Sequence, residues 1–215
     1  MKYTKHFLII CALTLSLMVT IFAMTCIGFW LGLNFTDGGY YRPVSTAEQL
    51  QRQEIVITAR KWLGTQEESE LHAEIVQIYN SHEPLAQGYV LKTTDNWCAA
   101  FGSAVAIECG LTDIVPTECG CERQIGLWKK LDRWQEDDNH MPLPGDYIYY
   151  AWDEKRDLKD NTGWADHVGI VVGTSGPFIK VIEGNKDDSV TYRIIWRGDY
   201  RIRGFGLPDY ASKIA

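Results

Sequence analysis

Two β-branched runs joined by a turn constrain this chain most. In Ala165-Asp166-His167-Val168-Gly169-Ile170-Val171-Val172 the side chains alternate between faces, which puts His167, Gly169 and Val171 on one of them. Gly173-Thr174-Ser175-Gly176-Pro177 is turn sequence, and Phe178-Ile179-Lys180-Val181-Ile182-Glu183-Gly184-Asn185 is a second strand. The two should pair antiparallel as a hairpin whose far end returns to the level of His167. Glu183 and Asn185 stand two residues apart, so both are expected on one side of the strand, and either can accept the second imidazole N–H. Residues 147–152, after the turn Pro142-Leu143-Pro144-Gly145-Asp146, and Ser189–Trp196 read as further strands of this sheet.

Upstream, Cys98, Phe101, Gly102, Val105, Ala106 and Cys109 fall at i, i+3, i+4, i+7, i+8 and i+11, one face of a helix ending at Gly110. Cys98 then lies in the first helical turn. Unpaired backbone N–H groups and the positive end of the helix dipole favour its thiolate, and the same N–H groups can stabilise an oxyanion. A cysteine taken alone reads first as a small buried hydrophobe on a core-facing helix. Amide cleavage also requires an imidazole and a polar group to fix its tautomer. Of the five histidines, His6 precedes an apolar run and His72, His82 and His140 sit in polar helical or loop sequence; only His167 stands on a strand. Asp95 and Asn96 are helix-capping residue types, and Asp95 is also a candidate for holding a cationic amine of a substrate. Trp97 is expected to adjoin the cleft.

The order of Trp97-Cys98-Ala99-Ala100-Phe101, Pro144-Gly145-Asp146 leading into a strand, Asp166-His167-Val168-Gly169-Ile170 and Ile182-Glu183-Gly184-Asn185 resembles the CHAP domain. This is a papain-like cysteine peptidase or amidase of peptidoglycan, related to the NlpC-type cell-wall peptidases. The resemblance runs from about Ile55 to Tyr210. It implies an α+β, papain-like fold with N-terminal helices packed on a small antiparallel sheet. It also implies Cys98 as nucleophile, His167 as general base and then acid, and Glu183 with Asn185 as orienting groups. Peptidoglycan is then the expected partner, cut at an N-acetylmuramoyl-L-alanine amide or within its peptides, with no organic cofactor. Two other functions are compatible with the same residues: a silent wall-binding domain, and a thiol acyltransferase or processing protease.

Residues 7–35 are uncharged and largely apolar, roughly 40 Å long as a helix against the ~30 Å of a bilayer core. The expectation is a transmembrane signal-anchor over residues 1–35, a linker over 36–45 and a catalytic domain over 46–215. Lys2 and Lys5 before the run and Asp37 after it place the catalytic domain outside a single-pass cell-membrane anchor. A cleaved signal peptide is the alternative, with one poor site at Phe22-Ala23-Met24-Thr25-Cys26.

Ile55, Ala59, Trp62 and Leu63, then Leu71, Ile75, Ile78 and Tyr79, keep helical spacing on either side of Gly64-Thr65. Leu127, Leu131 and Trp134 are expected to line one side of a later helix. A formal net charge of −7 argues against nucleic acid as a partner. No phosphate-binding glycine fingerprint occurs. Cys119-Gly120-Cys121 lacks the second ligand pair of a zinc site, so no metal is expected there; one disulfide from Cys109 to Cys119 or Cys121 is chemically allowed. The acidic loop at residues 153–163 lacks the spacing of an EF-hand.

Overall fold

The computed structural model describes residues 44–152 and 163–214. Among these, four helices precede a six-stranded antiparallel sheet, so the fold class is α+β. Helix α1 (Thr46–Lys61) starts at Ser45, whose hydroxyl accepts from the N–H of Glu48 at 3.1 Å. Helix α2 (Glu70–Asn80) starts in the same way at Ser69, which accepts from the N–H of His72. Helix α3 (Cys98–Glu108) and helix α4 (Cys121–Lys130) follow. The strands are β1 (Trp134–Gln135), β2 (Tyr147–Tyr150), β3 (His167–Ser175), β4 (Phe178–Lys186), β5 (Ser189–Trp196) and β6 (Ile202–Gly206), in the spatial order β1-β6-β2-β3-β4-β5.

Helix α3 is the centre of the fold. The sequence pattern suggests one buried face, but every residue from Cys98 to Ala106 is buried. Alanine, glycine and serine fill the positions that a one-sided helix gives to polar side chains, so neighbouring elements approach from all directions. Its neighbours are α1, α2, α4, β3 and β4. The fully buried Trp97 and Trp128 add large apolar areas to this core, each worth on the order of 5 kcal/mol of transfer free energy before ordering entropy is counted. A second, smaller apolar cluster on the other face of the sheet comprises Ile148, Tyr150, Val171, Ile179, Val181, Ile195, Ile202 and Phe205.

The Pro144-Gly145-Asp146 turn is clamped onto α1. Arg52, buried, donates from Nη1 to Asp146 Oδ1 at 2.8 Å and to the Pro144 carbonyl at 3.0 Å, and pairs through Nε with Glu48 at 2.8 Å. Asp146 also accepts from the Leu143 N–H, so the turn that launches β2 has its buried charge fully engaged.

Several expectations are corrected. No helix among the described residues is long and apolar enough to cross a membrane, and the run at residues 7–35 lies outside them. The transmembrane element is therefore withdrawn from the fold class, and the single-pass membrane location is withdrawn with it. The Leu127-Leu131-Trp134 helix ends early: α4 stops at Lys130, and Trp134 instead pairs in β1 with Gly206 of β6. Tertiary pairing overrides the helical spacing there, and Leu131 is left 46% exposed. Cys109, Cys119 and Cys121 are all free, as is Cys98. The acidic loop lies almost entirely outside the described residues, of which only Gly163 belongs to it.

Candidate active site

Three elements bring the chemistry together. Cys98 is the first residue of α3; Trp97 before it has φ −118° and ψ 11° and supplies no side-chain cap to the first-turn N–H groups. His167 opens β3, and Cys98 Sγ lies 4.0 Å from the carbonyl oxygen of the adjacent Asp166. Glu183 on β4 reaches the imidazole, with 3.1 Å between His167 Nε2 and Glu183 Oε2. His167 is 9% exposed and Glu183 not at all, so this contact is shielded from water.

Two glycines make the approach possible. A Cβ on Gly169 would stand 2.7 Å from Glu183 Cγ and 3.0 Å from the Ile182 carbonyl oxygen; hydrogen in that place leaves the carboxylate its path to His167. A Cβ on Gly184 would meet Phe101 Cβ at 2.5 Å and the Trp97 ring at 2.9 Å, so glycine there lets the start of α3 press directly on β4. The imidazole is backed by Tyr150, stacked at 6.0 Å between centroids, and Tyr150 in turn by Trp152 at 4.9 Å.

The electrostatics point one way. A hydrogen bond from Cys121 holds the Cys98 thiol well below the ordinary range; burial opposes this, while His167 and the Ala99 N–H reinforce it. Burial lowers the pKa of His167, but hydrogen bonds and charge from Cys98 and Glu183 outweigh it and push the pKa up to about 10. Glu183 is held below the usual carboxylate range: burial is opposed and exceeded by His167 and Arg193. Both shifts run in the direction that favours a thiolate beside an imidazolium. Because Nε2 faces Glu183, Nδ1 is the ring nitrogen left for the sulfur side.

The remaining candidates separate. Asn185 meets a different partner from Glu183. The β4–β5 register shifts between Glu183 and Lys186, and Asn185 takes a left-handed φ of 56°, which asparagine tolerates better than most residues. Its Nδ2 donates instead to Asn96 Oδ1 at 3.4 Å, tying β4 to the segment before Cys98. Asp95 does not cap α3; its carboxylate accepts from the Lys92 N–H and the Tyr89 hydroxyl, closing a local turn. Trp97 is wholly buried, packed on the His72 ring at 4.5 Å, which removes it from any substrate surface.

Two residues not assigned to the site from the sequence, Arg193 and Cys121, enter it, and a third, Trp164, lies in the chain leading to His167. Arg193 Nε donates to both oxygens of Glu183, and Cys121 Sγ lies 3.6 Å from Cys98 Sγ. Trp164, three residues before His167, is 75% exposed. The neighbouring Ala165 N–H donates to Glu122 of α4 at 3.0 Å, so this segment is anchored beside Cys121. Only Trp164 carried a local signal, as a tryptophan in polar sequence next to the His167 strand. The β4–β5 turn and its neighbour carry Asp187, Asp188, Glu67 and Glu68, and Glu67 accepts from Trp97 Nε1. Among the described residues no group of three or more His, Cys, Asp or Glu is arranged to hold a metal. Comparison with known protein families, with curated proteins and with solved structures finds no match to this chain.

Proposed function

We propose that the protein is a cysteine hydrolase that cleaves an amide bond of peptidoglycan. The observation that carries the chemistry is the buried His167–Glu183 contact of 3.1 Å beside a cysteine at a helix start. A cysteine that served only as packing has no use for a paired imidazole and a buried carboxylate. The substrate is inferred from the resemblance of four motifs, in order, to the CHAP domain.

In this reading the Cys98 thiolate attacks the amide carbonyl carbon, and the oxyanion that forms faces the first turn of α3, whose N–H groups are not capped by the side chain of Trp97. His167 then gives its Nδ1 proton to the departing amine, the C–N bond breaks, and a thioester to Cys98 remains. The neutral imidazole takes a proton from water, whose oxygen attacks the thioester and releases the acid. Glu183 holds the imidazole through Nε2 and stabilises the imidazolium at each stage where it forms.

The test is release of new amines from purified peptidoglycan by wild type beside Cys98→Ala, with mass spectrometry of the fragments. Amines from wild type alone are expected, at one kind of amide bond. No release by a correctly folded wild type would point to a silent binding domain, and activity only on another protein or lipid to the acyltransferase or processing-protease alternative.

A further inference from the structure

Two helix starts converge on the nucleophile. Cys98 is the first residue of α3 and Cys121 the first residue of α4, and their sulfurs lie 3.6 Å apart although 23 residues separate them in the chain. Both are nearly enclosed, at 5% and 7% exposure. Neither is part of a disulfide, so both sulfurs retain their chemistry. The amide-cleaving scheme uses Cys98 as nucleophile and Cys121 only as its hydrogen-bond partner, so the redox chemistry of a second sulfur at this distance is unused.

We propose that this pair is a site of reversible oxidative modification, in which a hydroperoxide oxidises Cys98 and Cys121 resolves the product as a Cys98–Cys121 disulfide. A disulfide requires the sulfurs to close to about 2.05 Å, an approach of roughly 1.5 Å shared between two side chains. In the first step the Cys98 thiolate attacks the terminal oxygen of the hydroperoxide and the O–O bond breaks. The departing alkoxide or hydroxide takes a proton from the His167 imidazolium, leaving a sulfenic acid on Cys98. In the second, the Cys121 sulfur attacks the Cys98 sulfur and the S–O bond breaks. The hydroxide leaves as water with the Cys121 proton. Two electrons pass from the two thiols to the peroxide, and an external dithiol restores both by exchange.

The other described cysteines have different surroundings. Cys109 lies at the opposite end of α3, where burial pushes its thiol up. Cys119 is half-buried beside Arg123 and Glu118. Oxidation should therefore be selective. Its consequence is protective and regulatory: the nucleophile is masked while oxidised, and is diverted from the irreversible sulfinic and sulfonic acids.

This inference uses the reactivity of Cys98 and not the amide-cleaving reading, and its test reads thiols and masses, so either can fail alone. The reduced full-length protein is titrated with hydrogen peroxide, quenched with an alkylating reagent, digested and mapped. The expected result is a cross-linked peptide joining Cys98 to Cys121, with loss of two thiols that a dithiol reductant recovers. In Cys121→Ser the same treatment should carry Cys98 to sulfinic acid that the reductant does not recover. Sulfinic acid on Cys98 of the wild type without the cross-link, an unmodified Cys98, or a cross-link confined to Cys109 and Cys119 would each overturn the proposal. If Cys121→Ser fails to fold, the wild-type map decides alone.

Discussion

Arg193 holds Glu183 by both carboxylate oxygens, with Nε 2.7 Å from Oε1 and 2.9 Å from Oε2. The carboxylate is thus gripped from β5 on one side while it orients His167 on the other. In the proposed reaction Arg193 touches no reacting atom and is a positioning residue.

Arg193→Met should therefore lower kcat about tenfold, the scale of one lost charge-assisted hydrogen bond. Removing the guanidinium also raises the Glu183 pKa, so protonation of Glu183 should join that of Cys98 on the acid limb of the pH profile and move the limb to higher pH. A loss due only to destabilisation would reduce the folded fraction and leave the profile in place. Glu183→Gln should cost more, on the order of a hundredfold, and Asn185→Ala less than either, since Asn185 meets Asn96 and not the imidazole.

The pH dependence of the wild type follows from the thiolate–imidazolium pair. Falling pH protonates the Cys98 thiolate only below its depressed pKa, and rising pH removes the proton that His167 gives the leaving amine around 10. The two groups titrate as a pair, so kcat/KM should show a broad plateau spanning neutral pH and fall on both sides. Alkylation of Cys98 should already be fast at neutral pH. A rate that climbs only near the ordinary thiol pKa of about 8.5 would place Cys98 outside an activated site.

Gly169→Ala tests the spacing of the site. The added methyl meets Val181 Cγ1 at 2.5 Å and Glu183 Cγ at 2.7 Å, and the Ile182 carbonyl behind them cannot retreat without moving the strand. A stability loss of about 1–3 kcal/mol is expected, with a fall in kcat beyond the loss of folded protein. A thermal melt and a turnover measurement on the same preparation check it, and wild-type turnover would contradict the spacing argument.

Two tryptophans separate packing from binding. Trp97→Ala removes a wholly buried ring from beside the nucleophile and should cost about 3–5 kcal/mol of stability. Trp164→Ala removes an exposed ring, should leave the melting temperature within about 1 °C, and should raise KM if the ring forms part of the substrate surface. Equal KM values for Trp164→Ala and wild type would remove Trp164 from that surface.

Local pattern carried much of the framework into view. The hairpin of β3 and β4, the strand over Ser189–Trp196 and the helix beginning at Cys98 follow from alternation and helical spacing, because those signals lie within one element. What was hidden depends on contacts between elements. Trp134 keeps helical spacing with Leu127 and Leu131, yet pairing with Gly206, far along the chain, makes it a strand. Arg193 on β5 and Cys121 on α4 acquire meaning only once the fold brings them to Glu183 and Cys98. The partner of Asn185 is another such case: a register shift interrupts the alternation that sets it beside Glu183, and its amide meets Asn96.

The central claim is that Cys98 attacks an amide carbonyl and holds the acyl group as a thioester. Its most direct test is intact-mass measurement after rapid acid quench of enzyme mixed with soluble peptidoglycan fragments. The account predicts a transient mass increment equal to the acyl fragment, mapped to Cys98, discharged by hydroxylamine and absent in Cys98→Ala. Amide cleavage that proceeds equally in wild type and Cys98→Ala, with no increment in either, would contradict it.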